Sequence, residues 1–398
     1  MAEEFDTDVF VAGGGPAGLA AAIAARQAGL TVTLADAARP PIDKACGEGI
    51  MPEGVAALKR LGITLAPQPA SRVGAPELAP GRFFALAGMR FIDSDGAIDA
   101  RFPHGVGWGV RRTVLHQLLV DRAAETGVDL LWGTRVTFHP NMHRNRARRG
   151  RRNLSQEGVI VNGRTLRCRW LIGADGQNSR LRTQAGLGPL RTTRRRFGFR
   201  CHYGLAPWSE FVEVHWSERG QMYITPVASD QICVAFITEQ RLSFDEALPH
   251  FPLVAERLRG AKRLARILGA VSTTQKLPLV WRENVALIGE ASGSVDAITG
   301  EGLTMAFQQG LALAEALRAG NLQLYQAAHR RIIRLPHFMT QLMLSMDRHA
   351  NFRQRVFRAL SAEPSLFSRL LAIHVGALHP LSFGVRGTAS LGWHLLTG

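Results

Sequence analysis

Short apolar runs separated by small or polar residues open the chain and predict a β-α-β unit. Residues 8–12 form an apolar run typical of a buried strand, and the Ala- and Leu-rich stretch that follows predicts a helix. Gly29 ends this helix, and a second apolar run, residues 30–35, leads to Asp36. Two strands joined by a helix indicate the start of a parallel, Rossmann-like sheet.

The spacing of apolar positions predicts further elements along the rest of the chain. Residues 197–238 alternate between apolar and polar positions and contain aromatic and β-branched residues, which favours antiparallel strands of a second domain. Residues 322–370 have a mostly helical pattern. Other helices are predicted at residues 53–61, 112–126, 243–269 and 302–319, and other strands at residues 128–138, 158–162, 165–173 and 284–289.

Glycines at positions 13, 15 and 18 follow the first strand with the spacing G-x-G-x-x-G. The first allows a tight turn, the second lets a pyrophosphate approach the backbone, and the third lets helix and strand pack closely. The free N–H groups and positive dipole end of the following helix attract phosphates. A carboxylate at the end of the second strand can bind an adenosine ribose. The sequence therefore predicts a dinucleotide site that includes Gly13, Gly15, Pro16, Ala17, Gly18 and Asp36.

Two later segments indicate FAD rather than NAD as the dinucleotide. Residues 170–182 resemble the Asp-Gly motif of flavoprotein monooxygenases, and residues 285–293 resemble their second FAD motif, with Glu290 where Asp is usual. Together with the glycine motif, these segments follow the order and spacing of one family across most of the chain. The sequence therefore resembles the para-hydroxybenzoate-hydroxylase-fold superfamily of FAD-dependent oxidoreductases, which includes aromatic hydroxylases, geranylgeranyl reductases and flavin-dependent halogenases.

The resemblance implies roles for individual residues of these motifs. Asp175 and Gly176 would lie near the pyrophosphate, in a segment that the family links to both FAD and NAD(P)H. Glu290 would bond the ribityl chain of FAD, through a shifted or water-mediated contact because Glu is longer than Asp. Arg112 would contact FAD from the start of a helix, and Arg111 is the alternative position.

The stretch that follows the second FAD motif, residues 293–303, is similar to that of geranylgeranyl reductases and halogenases. By this resemblance, Gly300 and Gly302 would allow the backbone to approach the flavin ring closely. The helix that begins near Gly302 would direct its positive end at the flavin carbonyl and stabilise the anionic reduced flavin. With Gly289 and Leu303, these glycines complete the predicted flavin site.

Residues 44–49, Lys-Ala-Cys-Gly-Glu-Gly, resemble the Lys-x-Cys-Gly loop of the reductase branch, which passes the flavin. The resemblance implies that Cys46 could face the active site, and that Lys44 and Glu48 could transfer protons or orient the substrate. The alternatives are a small residue that fills a tight loop and two solvated loop charges. Cys46, Lys44 and Glu48 are therefore the catalytic candidates.

The motifs and the resemblance together predict an α/β fold with three regions. It would contain a Rossmann-like FAD-binding domain, an inserted antiparallel β-sheet substrate domain and a helical C-terminal region. The FAD-binding domain would be discontinuous, because the substrate domain is inserted into it. The predicted boundaries are residues 1–70, 101–188 and 275–325 for the FAD-binding domain, 71–100 and 189–274 for the substrate-binding domain, and 326–398 for the helical region.

The 398-residue chain has a formal net charge of +16, which alone suggests a nucleic-acid or membrane partner. Most of this charge lies in one basic belt, residues 135–200, where 17 Arg face only two acidic residues. A solvated loop is the first interpretation of its clusters at 143–152 and 194–196; steering of NAD(P)H and docking on anionic lipid follow. No nucleic-acid partner is expected, because no aromatic residue is interleaved with the first cluster.

Cysteine usage and the absence of targeting signals favour a cytoplasmic protein. The four cysteines lack metal-ligand spacing, so neither a metal site nor a disulfide framework is expected. The acidic first six residues do not resemble a signal peptide, and no run of 18 apolar residues predicts a spanning helix. The acid-free segment 364–398, rich in Leu, Phe and Trp, leaves peripheral contact with a membrane open.

Three functional hypotheses follow from these features. The leading one is an FAD-dependent monooxygenase that uses NAD(P)H and O2 to hydroxylate a hydrophobic, phenolic or polyketide-like small molecule. The second is a geranylgeranyl-reductase-like flavoprotein that reduces isoprenoid double bonds, favoured by residues 293–302 and the Lys-x-Cys-Gly loop. The third, from a different class, is a basic FAD-containing adaptor for nucleic acid or membranes.

Overall fold

Two β-sheets of different character organise the fold. The structure is a computed structural model that describes residues 5–65, 82–94, 96–138, 159–188 and 191–383, without the side chains of residues 191–194 and 380. The strands are β1 (Thr7–Ala12), β2 (Val32–Asp36), β3 (Gly49–Ile50), β4 (Phe83–Leu86), β5 (Gly88–Asp93), β6 (Gly96–Arg101), β7 (Gly107–Val110), β8 (Asp129–Trp132), β9 (Val136–Phe138), β10 (Val159–Val161), β11 (Arg164–Leu166), β12 (Cys168–Gly173), β13 (Arg191–Gly204), β14 (Phe211–Ser217), β15 (Gly220–Ala228), β16 (Gln231–Thr238), β17 (Lys262–Arg263), β18 (Leu268–Lys276), β19 (Trp281–Arg282) and β20 (Val285–Leu287). The α-helices are α1 (Pro16–Gln27), α2 (Pro52–Arg60), α3 (Arg112–Glu125), α4 (Arg180–Gln184), α5 (Phe244–Ala247), α6 (Pro252–Arg257), α7 (Gly302–Arg318), α8 (Leu322–Arg348), α9 (Ala350–Ala362) and α10 (Pro364–His374).

The first sheet carries the predicted dinucleotide site. Its strand order is β19-β20-β12-β1-β2-β8, and its pairs are parallel except for β19 with β20 at one edge. Apolar residues fill both faces of β1, as a central parallel strand requires. Helices α1, α3 and α7 contribute Leu19, Leu119 and Phe307 to the core of this sheet. A Cβ at Gly310 of α7 would lie 2.9 Å from a backbone carbon of Ala20, so glycine permits the close α1–α7 packing.

The second sheet has the order β17-β13-β16-β15-β14-β5-β6, with β18 also paired to β13. Its pairs are antiparallel, as predicted, except that β14 runs parallel to β5. The exception arises because the β5–β6 hairpin comes from an earlier part of the chain than the strands it joins.

The C-terminal helices pack against the second sheet. Met343 of α8, Leu360 of α9 and Phe367 of α10 share an apolar cluster with Val214 and Trp216 of β14. In the part of the chain that the structure describes, no helix is both long and apolar enough to cross a membrane.

The structure confirms the predicted fold class, with one local error. The sequence predicts helices at residues 243–269, and the short helices α5 and α6 form there, but the prediction is wrong beyond Arg257. The rest of the segment contains β17 and the start of β18, which both pair with β13. Long-range strand pairing therefore overrides the local helical pattern. The domain boundaries stay a prediction.

Candidate functional site

A cavity of about 930 Å³ extends from the glycine motif to the second sheet. Every predicted site residue lines this cavity except Gly18. The roles of the individual residues stay predictions. The predicted residues on its wall are Gly13, Gly15, Pro16, Ala17, Asp36, Lys44, Cys46, Glu48, Arg112, Asp175, Gly176, Gly289, Glu290, Gly300, Gly302 and Leu303.

The three motif glycines occupy different surroundings. Gly13 has a φ of +116°, and a Cβ there would overlap the carbonyl oxygen of Ala174. A Cβ on Gly18 would overlap the Gly13 carbonyl, so this residue serves packing. A Cβ on Gly15 would meet nothing within 4 Å, and no side chain caps the helix that begins after it. An open backbone beside free helix N–H groups fits a pyrophosphate such as that of FAD.

Asp36 and His116 fix the loop that carries these glycines. Asp36 accepts hydrogen bonds from the backbone N–H of Gly14 at 2.6 Å and of Ala38 at 2.7 Å. The Nδ1 of His116 accepts from the N–H of Ile42 at 3.4 Å, so its Nε2 donates to the Gly14 carbonyl at 2.8 Å. Burial lowers the pKa of His116 and keeps it neutral. The sequence analysis missed this histidine, because nothing in its helical context marks a contact with the glycine loop.

Arg112 presents an unused donor at the cavity. Its Nε is buried and lacks a hydrogen-bond partner, and its side chain lines the cavity. Buried polar atoms normally have partners, so this one fits an anionic or carbonyl group of a bound cofactor. The alternative, Arg111, is not on the cavity wall.

Helix α7 also begins at the cavity, at Gly302, and the side chain of Glu301 does not cap it. A Cβ on Gly300 or Gly302 would meet nothing within 4 Å, so both backbones are open. The free N–H groups at this helix end fit an electron-rich flavin carbonyl. The residues present at the cavity therefore fit FAD at both its pyrophosphate and its ring.

Lys44 and Glu290 form an ion pair of 2.6 Å that joins the 44–49 loop to the second FAD motif. Both side chains are about half exposed, so the pair contributes little stability by itself. The pair brings the two loops together on one side of the cavity.

Glu48 lies in a buried polar cluster, which makes the interpretation as a solvated loop charge wrong. Its side chain is 1% exposed, and its φ of +61° is unusual for a residue other than glycine. One carboxylate oxygen accepts from the backbone N–H of Arg112 at 2.8 Å. The other lies 2.6 Å from Nε2 of His202, a residue that the sequence analysis did not place at the site.

Arg200 completes this cluster from β13. It donates to Nδ1 of His202 at 3.0 Å and pairs with Asp43. Ligand atoms of Glu48, His202 and Cys233 lie within 4.8 Å of one another, a spacing suited to a metal ion. However, the bond from Arg200 places the imidazole proton on Nε2, the atom that a metal would need. The cluster is therefore better suited to hold protons than a cation.

Cys46 lines the cavity next to this cluster and is partly buried. Its Sγ accepts a weak hydrogen bond from the N–H of Glu48 at 3.4 Å. Burial raises the pKa of the Cys46 thiol; the charge of Arg112 opposes this rise and the charge of Glu48 adds to it. The thiol of Cys233 donates to the Cys46 carbonyl at 3.7 Å, and burial raises its pKa well above the ordinary value. Both residues are therefore neutral thiols near neutral pH.

The interpretation of the 194–196 cluster as a solvated loop is wrong for Arg196. The side chain of Arg196 is 1% exposed and forms a buried ion pair with Asp296, and Arg200, elsewhere in the basic belt, is also 1% exposed and pairs with Asp43. These charges serve internal contacts and are not available to a nucleic acid or a membrane. The cluster at residues 143–152 and the end of the chain from residue 384 lie outside the described residues.

The far wall of the cavity is apolar and belongs to the second sheet and its neighbours. The hydroxyl of Tyr223 donates to the Ile298 carbonyl at 2.7 Å, which ties this wall to the loop before α7. Helix α8 closes one side with His329, Ile333 and His337. The apolar side chains on the wall are Met51, Met89, Val212, Ala235, Ile237, Val295 and Met305.

Comparisons with a family model and with known proteins show a similarity to a family of FAD-binding proteins. Residues 6–232 match the family described as FAD binding domain. The chain is 30% identical over 345 residues to a menaquinone reductase of Mycolicibacterium smegmatis, covering 81% of this chain and 78% of that protein. It is 29% identical to a digeranylgeranylglycerophospholipid reductase of Methanoculleus marisnigri, over 77% of this chain and 75% of that protein. It is 25% identical to a protein of Bacillus subtilis named as an FAD-dependent monooxygenase, over 78% of this chain and 84% of that protein.

Solved structures share the fold at lower sequence identity. A flavoprotein/dehydrogenase of Cytophaga hutchinsonii superposes with a TM-score of 0.72 and 17% identity, covering 96% of this chain and 98% of that one. A geranylgeranyl bacteriochlorophyll reductase-like protein of Thermoplasma acidophilum has a TM-score of 0.67 and 17% identity, covering 98% and 95%. At this identity the two structures support the architecture alone.

Proposed function

The chain belongs to the FAD binding domain family of flavoprotein oxidoreductases, and from this premise we propose that it reduces a carbon–carbon double bond in an apolar, isoprenoid-like substrate. The observation that carries the proposal is a neutral Cys46 thiol on the wall of a cavity whose far side is apolar. NAD(P)H is the electron donor that we propose.

Saturation of a double bond needs a hydride at one carbon and a proton at the other. Reduced FAD, when bound, supplies the hydride. Cys46 would supply the proton to the second carbon and then regain one from solvent, so that the substrate gains two hydrogens and the thiol is unchanged. The raised pKa of Cys46 keeps its proton available at neutral pH.

The surrounding residues would hold and orient such a substrate. The apolar wall of the second sheet favours a hydrocarbon chain through burial of its surface. Names of relatives support the same class, since the M. smegmatis relative is named a menaquinone reductase and the M. marisnigri relative is named a digeranylgeranylglycerophospholipid reductase.

The deciding experiment supplies NAD(P)H to the FAD-loaded protein without O2, with prenylated quinones and prenyl lipids as substrates. We expect a product two hydrogens heavier than its substrate, with no added oxygen, by mass spectrometry. Cys46→Ala should retain FAD reduction by NAD(P)H and lose about a hundredfold or more in product formation, the scale of one general acid.

Cys168→Ala is the matched control, because Cys168 is also a neutral thiol but lies buried in β12, off the cavity wall. It should keep the parent's rate. Product that forms only with O2 and contains a new oxygen atom would contradict the proposal, as would full activity of Cys46→Ala.

A monooxygenase that uses NAD(P)H and O2 is the second candidate, and one observation favours it. Glu48 accepts a hydrogen bond at each of its two oxygens and lies on the cavity wall. Such a group could take the proton of a phenol and make its ring electron-rich. The resemblance to the B. subtilis protein also supports this candidate.

A further inference from the structure

Arg200, His202 and Glu48 form a continuous chain of hydrogen bonds that ends at the Glu48 carboxylate. We infer that Arg200 and His202 are positioning residues that hold Glu48 ionised beside Cys46, so that the Cys46 thiol keeps its proton until the substrate receives it. The inference rests on the proposed function, in which Cys46 is the proton donor. It assigns a role to two residues of β13 that lie far from every FAD motif in the sequence.

The tautomer of His202 follows from its two neighbours. The guanidinium of Arg200 is 3.0 Å from Nδ1 and has only donors, so Nδ1 must be the unprotonated acceptor. The proton of a neutral imidazole then lies on Nε2, which is 2.6 Å from Oε2 of Glu48. His202 therefore donates to Glu48, and Arg200 prevents the reverse arrangement.

Glu48 is consequently an acceptor at both ends. Oε2 accepts from His202, and Oε1 accepts from the backbone N–H of Arg112 at 2.8 Å. That N–H belongs to the first turn of α3, a helix of 14 residues whose positive end favours an anion. Two N–H donors and a helix N-terminus favour the ionised carboxylate despite its burial.

The charges that face Cys46 come from three different elements. Arg112 from α3 and Arg200 from β13 lower the pKa of the thiol, and Glu48 from the same loop raises it. Without Glu48, two guanidinium groups would act on the thiol with no opposing charge and would favour the thiolate. The nearby Cys233 is neutral and does not replace the lost charge.

This arrangement explains why a buried carboxylate lies beside a thiol. Burial is the main reason that the Cys46 thiol keeps its proton, and the charge of Glu48 adds to this effect by offsetting Arg112 and Arg200. The hydrogen bond from Arg200 to His202 transmits this control across the cluster without any contact with the cofactor cavity by His202. His202 therefore acts on the proton donor Cys46 through Glu48 and does not itself touch the substrate.

The test measures how fast iodoacetamide alkylates Cys46 in the FAD-loaded protein as pH rises from about 6 to about 10, since only the thiolate reacts. Peptide mass spectrometry identifies the alkylated cysteine. Glu48→Gln removes the negative charge beside the thiol and should raise the rate near neutral pH by about tenfold or more. His202→Leu removes one of the hydrogen bonds that favour this charge and should raise the rate in the same direction, although Arg200 stays 3.9 Å from the carboxylate. The double variant should show little additional increase, because both changes act through one group.

His202→Gln is the conservative rescue, because its amide N–H can still donate to Glu48, and it should retain the parent profile. His215→Leu is the matched control: His215 forms the other buried His–Glu contact on this sheet, 3.1 Å from Glu213. It should leave Cys46 alkylation unchanged. FAD content and thermal unfolding show which variants fold. If His202→Leu does not fold, Glu48→Gln alone tests the inference.

Two outcomes would overturn the inference. One is an alkylation profile of Glu48→Gln that matches the parent or shifts to higher pH. The other is a His202→Gln profile that matches His202→Leu in a folded protein. Alkylation and product formation are separate readouts, so a shifted profile without double-bond reduction in the parent would refute the proposed function and leave the control of Cys46 standing.

Discussion

Arg196 of β13 and Asp296 of the loop before α7 form a buried ion pair of 3.0 Å, which joins this loop to the second sheet. The same guanidinium pairs with Asp347 of α8 at 2.9 Å and donates to Gln221 of β15 at 2.6 Å. Arg196 is 1% exposed and Asp296 is 3% exposed, so water competes little for these contacts. One side chain therefore connects the loop before α7, the second sheet and helix α8.

Removal of this guanidinium should destabilise the protein strongly. Arg196→Met leaves the buried Asp296 and the mostly buried Asp347 without their cationic partner, and we expect the free energy of unfolding to fall by about 3–5 kcal/mol. Denaturant unfolding of the FAD-loaded protein measures this change. Arg195→Met is the control on the same strand, because Arg195 is exposed, and it should change the free energy by less than about 0.5 kcal/mol. Equal stability of the two variants would show that the buried network is dispensable.

Alanine substitutions at two glycines of one motif should impair different properties, FAD affinity in one case and stability of the apoprotein in the other. Gly15→Ala places its methyl group in open space at the cavity, so we expect a normally folded apoprotein with FAD affinity reduced about tenfold or more. Gly18→Ala would force its methyl group onto the Gly13 carbonyl, so the apoprotein itself should lose stability. Thermal unfolding without FAD and equilibrium titration with FAD separate the two effects. A Gly15→Ala protein that binds FAD normally would argue against a pyrophosphate at this position.

His116 should affect cofactor binding through the glycine loop. His116→Leu removes the donor to the Gly14 carbonyl and the acceptor for Ile42, and the loop then loses two of its fixed contacts. We expect FAD dissociation to accelerate about tenfold, the scale of one or two hydrogen bonds. Stopped-flow flavin fluorescence measures the rate. His104→Leu, at an exposed position, should leave the rate unchanged.

His329 should make stability fall in weakly acidic solution. The Nε2 of His329 lies 2.9 Å from the hydroxyl oxygen of Ser292 in a buried position. Burial lowers the pKa of His329 from 6.5 to about 4. Between these two values the unfolded chain binds a proton that the folded chain does not, so the contribution of this group is complete above about pH 6.5 and declines as pH falls toward 4. The full decline amounts to about 3 kcal/mol.

His329→Gln tests this pH dependence, because glutamine can bond Ser292 but does not titrate. Its unfolding free energy, measured in denaturant at several pH values, should decline less steeply than that of the parent across the same interval. Identical slopes would assign the acid sensitivity to other groups.

The parallel sheet and the FAD site could be predicted from the sequence because their signals are local. The glycine motif, its flanking strands and Asp36 occupy one short segment, and the backbone conformations that glycine allows connect this sequence pattern to a tight turn. The later motifs likewise carry their information within about ten residues each, and each contributes residues to the wall of the same cavity.

The buried polar cluster could not be predicted, because its partners are distant in the chain. Glu48 and His202 are 154 residues apart, and Arg196 and Asp347 are 151 apart. A single arginine in a basic segment has the same local signal whether it is solvated or buried against a distant acid. Only the pairing of β13 with its neighbours decides which of these arginines face inward.

The glycine contact between α1 and α7 determines when the protein can acquire its cofactor during synthesis. Helix α1 is among the first segments to leave the ribosome, but α7, whose Gly310 packs against Ala20, emerges after both sheets have been made. Until then the face of α1 that packs against α7 has no cover, and the cavity lacks the residues that α7 contributes. We therefore expect cofactor capture to be a late event in synthesis.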